Sequence, residues 1–310
     1  MRIRPRILAL TACLALLGGC DWSDFENSGR FTEDFHHTYP LKPGGRLSVE
    51  NFNGSIDITG WDQDSVEISG TKYGPTEEIR DAIKIDIQAS ADAISIRTVR
   101  PVERRGNMGA KYAIRVPRKV HLERINSSNG AIRTADLEGN ARIRTSNGSV
   151  RTINLQGDLE VQTSNGTVEV QDVDGNASLK TSNGRVKAER VRGGVEAYTS
   201  NGSVTLELTS SRGSRPIKVE TSNGSVELRL EAARPNEVRA STSNGSITLR
   251  MPSDTAARVR AHTSNSSIST DFSVETQGTV SKNHLEGTIG PGGPLLDLST
   301  SNGSIRLLKL

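Results

Sequence analysis

The 310-residue chain has little of what a compact globular domain relies on. It carries two cysteines, Cys13 and Cys20; Cys13 falls inside a candidate leader, so Cys20 alone would remain and no internal disulfide is possible. Aromatic residues make up 4% of the chain, and from Asn129 onward there are only Tyr198 and Phe272, too few for a platform that stacks sugar rings. Apolar content is also low, at 33%. No stretch beyond the leader keeps a long helical period, which excludes a helical bundle. Nothing resembles a phosphate-binding loop, a nucleotide fingerprint or a Ser/His/Asp order. The histidines (His36, His37, His121, His262, His284) are scattered, with only the first two adjacent. The glycine-rich calcium repeat is absent, so no metal site and no cofactor is expected.

The charge balance points the same way. The formal +3 is 39 basic against 36 acidic residues, and the first nineteen residues hold Arg2, Arg4 and Arg6 with no acid. Without them the count is 36 against 36, so the basic pI belongs to the leader and implies no nucleic-acid partner.

That leader has a positive start followed by eleven apolar residues, Ile7 to Leu17, too short to span a membrane and suited to secretion. Leu17-Gly18-Gly19-Cys20 resembles the lipobox of bacterial lipoproteins, in which the cysteine is lipidated and becomes the first mature residue. The resemblance implies a signal peptide over 1–19, cleavage between Gly19 and Cys20, and a lipid on Cys20. Residues 20–41 read as the lipidated N-terminus and a tether, with a first strand at its end as the alternative.

What the chain does have is repetition. Thr-Ser-Asn-Gly recurs, and Asn129, Asn147, Asn165, Asn183 and Asn201 are each eighteen residues apart. Wider steps then lead to Asn223, Asn244 and Asn265, and a longer insertion to Asn302. A fixed period signals stacked units in place of one globular core. Three residues after each Asn stands Ile132, Val150, Val168, Val186 or Val204; eight after, Leu137, Leu155, Val173 or Val191; ten after, a glycine. The approach to each Asn alternates, as in Leu159, Val161 and Thr163, which marks a half-buried strand. Each unit is therefore two short strands and two turns.

An antiparallel meander and a β-solenoid both fit that punctuation. The solenoid is preferred because residue identity recurs along with polarity. Equivalent positions in adjacent coils lie about 4.8 Å apart, so identical side chains form ladders. The expected architecture is all-β: one parallel β-helix-like solenoid over 42–310, with coils of about 18–22 residues and the C-terminal strand on the last coil. Asn129, Asn147, Asn165, Asn183, Asn201, Asn223, Asn244 and Asn302 would form its turn ladder, beside a row of Thr145, Thr163, Thr181 and Thr199. A short helix is expected at 75–83, where Pro75 precedes early acids and a later arginine. Asn53-Gly54-Ser55 reads as a diverged first copy.

The blocks "PGGRLSVENFNGSIDITGWD", "YAIRVP", the successive "SNGSV" units and "DLSTSNGSIRLL" resemble the bacterial putative-adhesin family, a β-solenoid-like domain of unknown function on envelope proteins. The likeness runs from about Lys42 to Leu310; Ser266 in place of glycine and the insertion before Asn302 depart from the pattern.

Two function classes follow. The leading one is a non-catalytic, lipid-anchored envelope protein, exposed to periplasm or cell surface, that presents an adhesin-like, scaffold or sensing surface. Its partners would be the membrane and an envelope protein or glycan. The other is a carbohydrate-active β-helix enzyme, which needs carboxylates converging on one outer face. The acids instead scatter: Glu160 stands between Arg142 and Ser178, and Glu169 between Arg151 and Lys187. They read as charge pairs on a strand face, and no catalytic residue is assigned.

Overall fold

The structure is a computed structural model that describes residues 31–102, 106–209, 215–233, 236–276 and 281–310. The candidate leader, with Gly19 and Cys20, lies outside the described residues.

Among the described residues two long sheets face each other across a narrow core, one of 13 strands and one of 14. Each coil contributes one strand to each. The back-sheet strand runs into Thr-Ser-Asn-Gly, the chain turns the corner, and a front-sheet strand follows. Ala141–Asn147 leads to Val150–Gln156, and a second corner at Gly157-Asp158 leads to Leu159–Gln162. Neighbouring coils pair in parallel with repeat positions in register: Val150 with Val168, then Val168 with Val186. This is the solenoid, and the meander is excluded.

Alternation places one side of every strand inside. Val150, Val161, Val168, Leu179, Val186 and Val204 are each at most 1% exposed, and the core is a continuous column of such residues. The five-residue step from the first buried valine to the buried leucine breaks strict alternation. The cause is a bend one residue before the leucine. Asp136, Asn154, Asp172 and Arg190 have φ of 58°, 53°, 55° and 53°, and the register skips them. This left-handed turn resets the face, so Leu137, Leu155, Val173 and Val191 point inward again. Asn and Asp tolerate that conformation better than most residues. Arg190 does not share that tolerance, and it is held by two bonds to Asp172, at 2.6 and 2.9 Å.

The ends depart from the expected arrangement. The segment Phe31–Pro40, read as part of a tether, is a strand paired antiparallel with Ser65–Gly74 at the edge of the front sheet. Phe35 and Tyr39 pack against the core, and Phe35 meets Tyr112 edge-on at 5.6 Å between centroids. The front sheet therefore includes a strand that precedes residue 42, where the solenoid was expected to start. The short helix is present as Glu77–Ala82, with Thr76 Oγ1 accepting from the Ile79 N–H at 3.2 Å.

The C-terminal strand is not on the outermost coil. The Asn302 coil, Leu295–Thr300 with Ile305–Lys309, lies between the Asn244 and Asn265 coils. The insertion before Asn302 supplies the cap: His284–Ile289 pairs antiparallel with Ala257–Thr263, and Val274–Thr276 pairs with it in turn. Phe272 is buried, 6% exposed.

Candidate binding surface

Each letter of the Thr-Ser-Asn-Gly corner has its own role in the stack. The Asn side chains form one directional row. Asn147 Nδ2 donates to Asn129 Oδ1 at 2.8 Å, Asn165 to Asn147 at 2.8 Å, Asn183 to Asn165 at 2.9 Å and Asn201 to Asn183 at 2.9 Å. The row continues through Asn223, Asn244 and Asn302, and Asn265 caps it by donating to Asn302 at 2.7 Å. At the other end Asn129 donates to Asn53 Oδ1 at 2.7 Å, and Asn53 to Met108 O at 2.9 Å. All eight expected members are in the row, joined by Asn53 and Asn265.

The glycine is required by close stacking. A Cβ on Gly148, Gly166, Gly184 or Gly202 would collide with the glycine carbonyl of the preceding coil. That carbonyl also needs a donor, and the threonine supplies it: Thr163 Oγ1 donates to Gly148 O at 3.1 Å, Thr181 to Gly166 O at 3.0 Å, Thr199 to Gly184 O at 3.0 Å. These hydroxyls are buried, where an unmet carbonyl would cost more than the bond gains. Ser146 and Ser164 turn their side chains to solvent, and their carbonyls accept the next Asn N–H at 2.8 Å. In the Asn129 coil Ser127 replaces threonine and its Oγ has no partner among the described residues. There the preceding carbonyl, Gly54 O, is already taken by Asn51 Nδ2 at 3.3 Å.

The second corner makes another ladder that sequence reading did not pick out. Asn140 Oδ1 accepts the Asp158 N–H at 3.0 Å, Asp158 Oδ1 accepts the Asn176 N–H at 2.9 Å, and Asn176 Oδ1 accepts the Gly194 N–H at 3.1 Å. Its sequence signal was the Asn or Asp that follows Gly139, Gly157 and Gly175. Above these short corners lies a groove of about 630 Å³ on the back sheet. Arg46 and His121 line it at one end and Arg215 and Pro216 at the other. Its position follows from coil length. Where coils repeat every eighteen residues the second corner is short; the later coils lengthen it, from Leu208 to Ile217 and from Leu230 to Val238.

Groove side chains carry both signs of charge. Glu160 accepts from Arg142 Nε at 2.8 Å and Arg144 Nη2 at 2.9 Å, and these guanidiniums, Arg144 foremost, hold its carboxyl below the usual carboxylate range. A general acid needs the opposite shift. The register sets Arg151, Glu169 and Lys187 side by side on the front sheet, as expected. Lys180, which lines the groove, has the 42%-exposed Tyr198 as its neighbour in the next coil. Among the described residues no group of three or more His, Cys, Asp and Glu is placed to hold a metal ion.

A putative adhesin of Bacteroides fragilis is 14% identical, covering 89% of this chain and 97% of its own, with a TM-score of 0.41. A putative lipid-binding protein of Parabacteroides distasonis is 11% identical, covering 91% and 98%, at 0.39. A putative cell adhesion protein of Clostridium sporogenes is 12% identical, covering 90% and 100%, at 0.24. No curated protein matches the sequence. The family profile that matches spans residues 45–308, nearly the whole of the stacked coils, and the chain belongs to the Toastrack DUF4097 family.

Proposed function

We propose that the protein is a non-catalytic, lipid-anchored envelope component that presents a rigid β-surface for adhesin-like binding or scaffolding. The observation that carries this reading is the short-corner groove. Its reactive-looking carboxylate, Glu160, is bonded to two arginines, and its floor is built from side chains that bond the backbone of the next coil. Such a surface offers hydrogen-bond partners at every coil to an extended polar chain, an envelope protein or a glycan. Cys20 would carry the anchor, with more than one acyl chain giving stable attachment.

The two parts are tested separately. Metabolic labelling with a fatty-acid probe should mark the wild type and lose the mark in Cys20→Ser; undiminished label in the variant would sink the anchor. Crosslinking in the native envelope should capture a partner whose recovery falls at least severalfold with Arg142→Glu. Glycan turnover that disappears with one Asp or Glu substitution would replace this reading with the enzyme.

A further inference from the structure

Among the described residues the strand Phe31–Pro40 is the outermost strand of the front sheet and pairs on one side only, along Ser65–Gly74. Such an edge presents a row of N–H and C=O groups to any strand that can lie beside it. Its sequence, Phe-Thr-Glu-Asp-Phe-His-His-Thr-Tyr, is its own complement when reversed about Phe35. Two copies in antiparallel register about that residue would oppose Phe31 with Tyr39, Thr32 with Thr38, Glu33 with His37, Asp34 with His36, and Phe35 with itself. Directly opposed residues share a face in an antiparallel pair, so the pleat is respected in every case. Aromatic Phe31 with Tyr39, Thr with Thr, and carboxylate with imidazole are cross-strand pairs that stabilise a sheet, while the Phe35 ring lies back over Gly70 and leaves only its backbone at the axis.

We propose that this strand is a homodimer interface, joining the 13-stranded front sheets of two molecules edge to edge across a two-fold axis. The polar side chains keep capacity for it. Asp34 accepts from Thr71 through Oδ1 at 2.6 Å, which leaves Oδ2 for the opposing strand. His36 uses Nδ1 with Ser69 at 3.0 Å, which leaves Nε2. Glu33 meets Lys72 through Oε2 at 2.9 Å, which leaves Oε1. One side chain reaches the strand's backbone from the helix: Arg80 Nη1 donates to Thr32 O at 3.3 Å, near one end of the paired segment. Phe35 sits over Gly70, where a Cβ would collide with its ring, so the centre of the strand is held flat against its neighbour.

The test uses the full chain in mild detergent, with Cys13→Ser and Cys20→Ser so that introduced thiols are the only ones. Thr32→Cys and Thr38→Cys proteins should each crosslink poorly alone and should give a disulfide-linked dimer when mixed. Equal crosslinking alone and mixed overturns the register. Sedimentation of the cysteine-free parent should show a dimer. His36→Asp with His37→Glu should weaken association at least tenfold, because carboxylates then face carboxylates. Adding Glu33→His and Asp34→His should restore it, with melting temperatures confirming that each variant is folded. A monomer at every concentration, or a swap that fails to rescue, overturns the proposal. So does crosslinking of Thr38→Cys to a thiol introduced within residues 21–30 of the same chain, since that segment would then occupy the edge.

Discussion

Between Asn129 and Asn201 the chain lays down coils in the order in which they are written, whereas at both ends it overshoots and returns. At the start the Asn53 coil forms first, the coil of Ala93–Val99 and Gly109–Pro117 is placed outside it, and the Asn129 coil is placed inside. At the finish the Asn265 coil is placed outside and the Asn302 coil slips in between it and Asn244. A parallel stack has no means of stopping itself, because each coil leaves an open edge for the next. The ends solve this with antiparallel strands, and the return passes lock the caps behind coils that are distant in sequence. The middle is modular and its ends are not.

The sharpest way to break that contrast is deletion. Removing residues 166–183 takes out one unit and leaves Asn165 joined to Gly184, another Asn-Gly corner in register. The protein should still fold, with modestly lower stability. Removing 295–310 is shorter, yet it takes the coil that holds the C-terminal cap in place. Hydrogen exchange should show residues 257–276 and 281–289 losing protection altogether. If the cap stays protected and the internal deletion unfolds, the assignment of modular and non-modular regions is reversed.

The same contrast explains what the sequence revealed. The middle was legible because its rules are local: Asn147 and Asn165 bond each other since each occupies the same corner, and period alone identifies them. Burial of Val150 and Leu155 followed from the same alignment. The place of the Asn302 coil was not legible, because its own letters fit any slot in the stack. What excludes the outermost slot is the hairpin between it and Asn265, which folds back over the Asn265 strand. The strand at Phe31–Pro40 was legible only as one way the tether could end, for a related reason. Both its faces are largely exposed, so it lacks the alternation that marks an inner strand. The groove was half visible, in the Asn and Asp after each second glycine. Its wall at Arg215 and Pro216 comes from a coil-length change, whose significance appears only when the coils are stacked.

Next in size is the corner glycine. Gly166→Ala drives a Cβ into the Gly148 carbonyl, and neither coil can move without disturbing the next. The expected loss in urea unfolding is about 1–3 kcal/mol, typical of overpacking. The outermost coil already carries Ser266 at that position, and among the described residues no further corner is stacked beyond it. Ser266→Gly should therefore stay within about 0.5 kcal/mol of wild type. A mid-stack alanine as mild as the end substitution would mean that the coils slide freely.

The asparagine row gives a smaller version. Asn165→Ala removes two side-chain bonds, one donated to Asn147 and one accepted from Asn183. Asn265→Ala removes the single bond to Asn302. With about 0.5–1.5 kcal/mol per bond, toward the low end for exposed amides, the middle variant should lose about twice as much as the end variant. Equal losses would show that the row is decorative and that the backbone alone sets the spacing.

The smallest effect expected is at the charge pairs. Glu160 in the middle is bonded to Arg142 and Arg144, while Glu286 in the cap is 3.1 Å from Arg260. The Glu160 side chain is 38% exposed, so solvent screens the pair and Glu160→Gln should cost only a few tenths of a kcal/mol at neutral pH. Its pH dependence is the more telling measurement. Because the arginines lower the Glu160 pKa from its ordinary 4.5, the stabilisation is present above that value and is lost as the pH falls through the lowered one. The difference between wild type and Glu160→Gln should therefore shrink to nothing on acidification below the usual carboxylate range. A difference that grows on acidification would mean that the folded protein favours the protonated acid. That would return Glu160 to contention as a proton donor and reopen the catalytic reading of the groove.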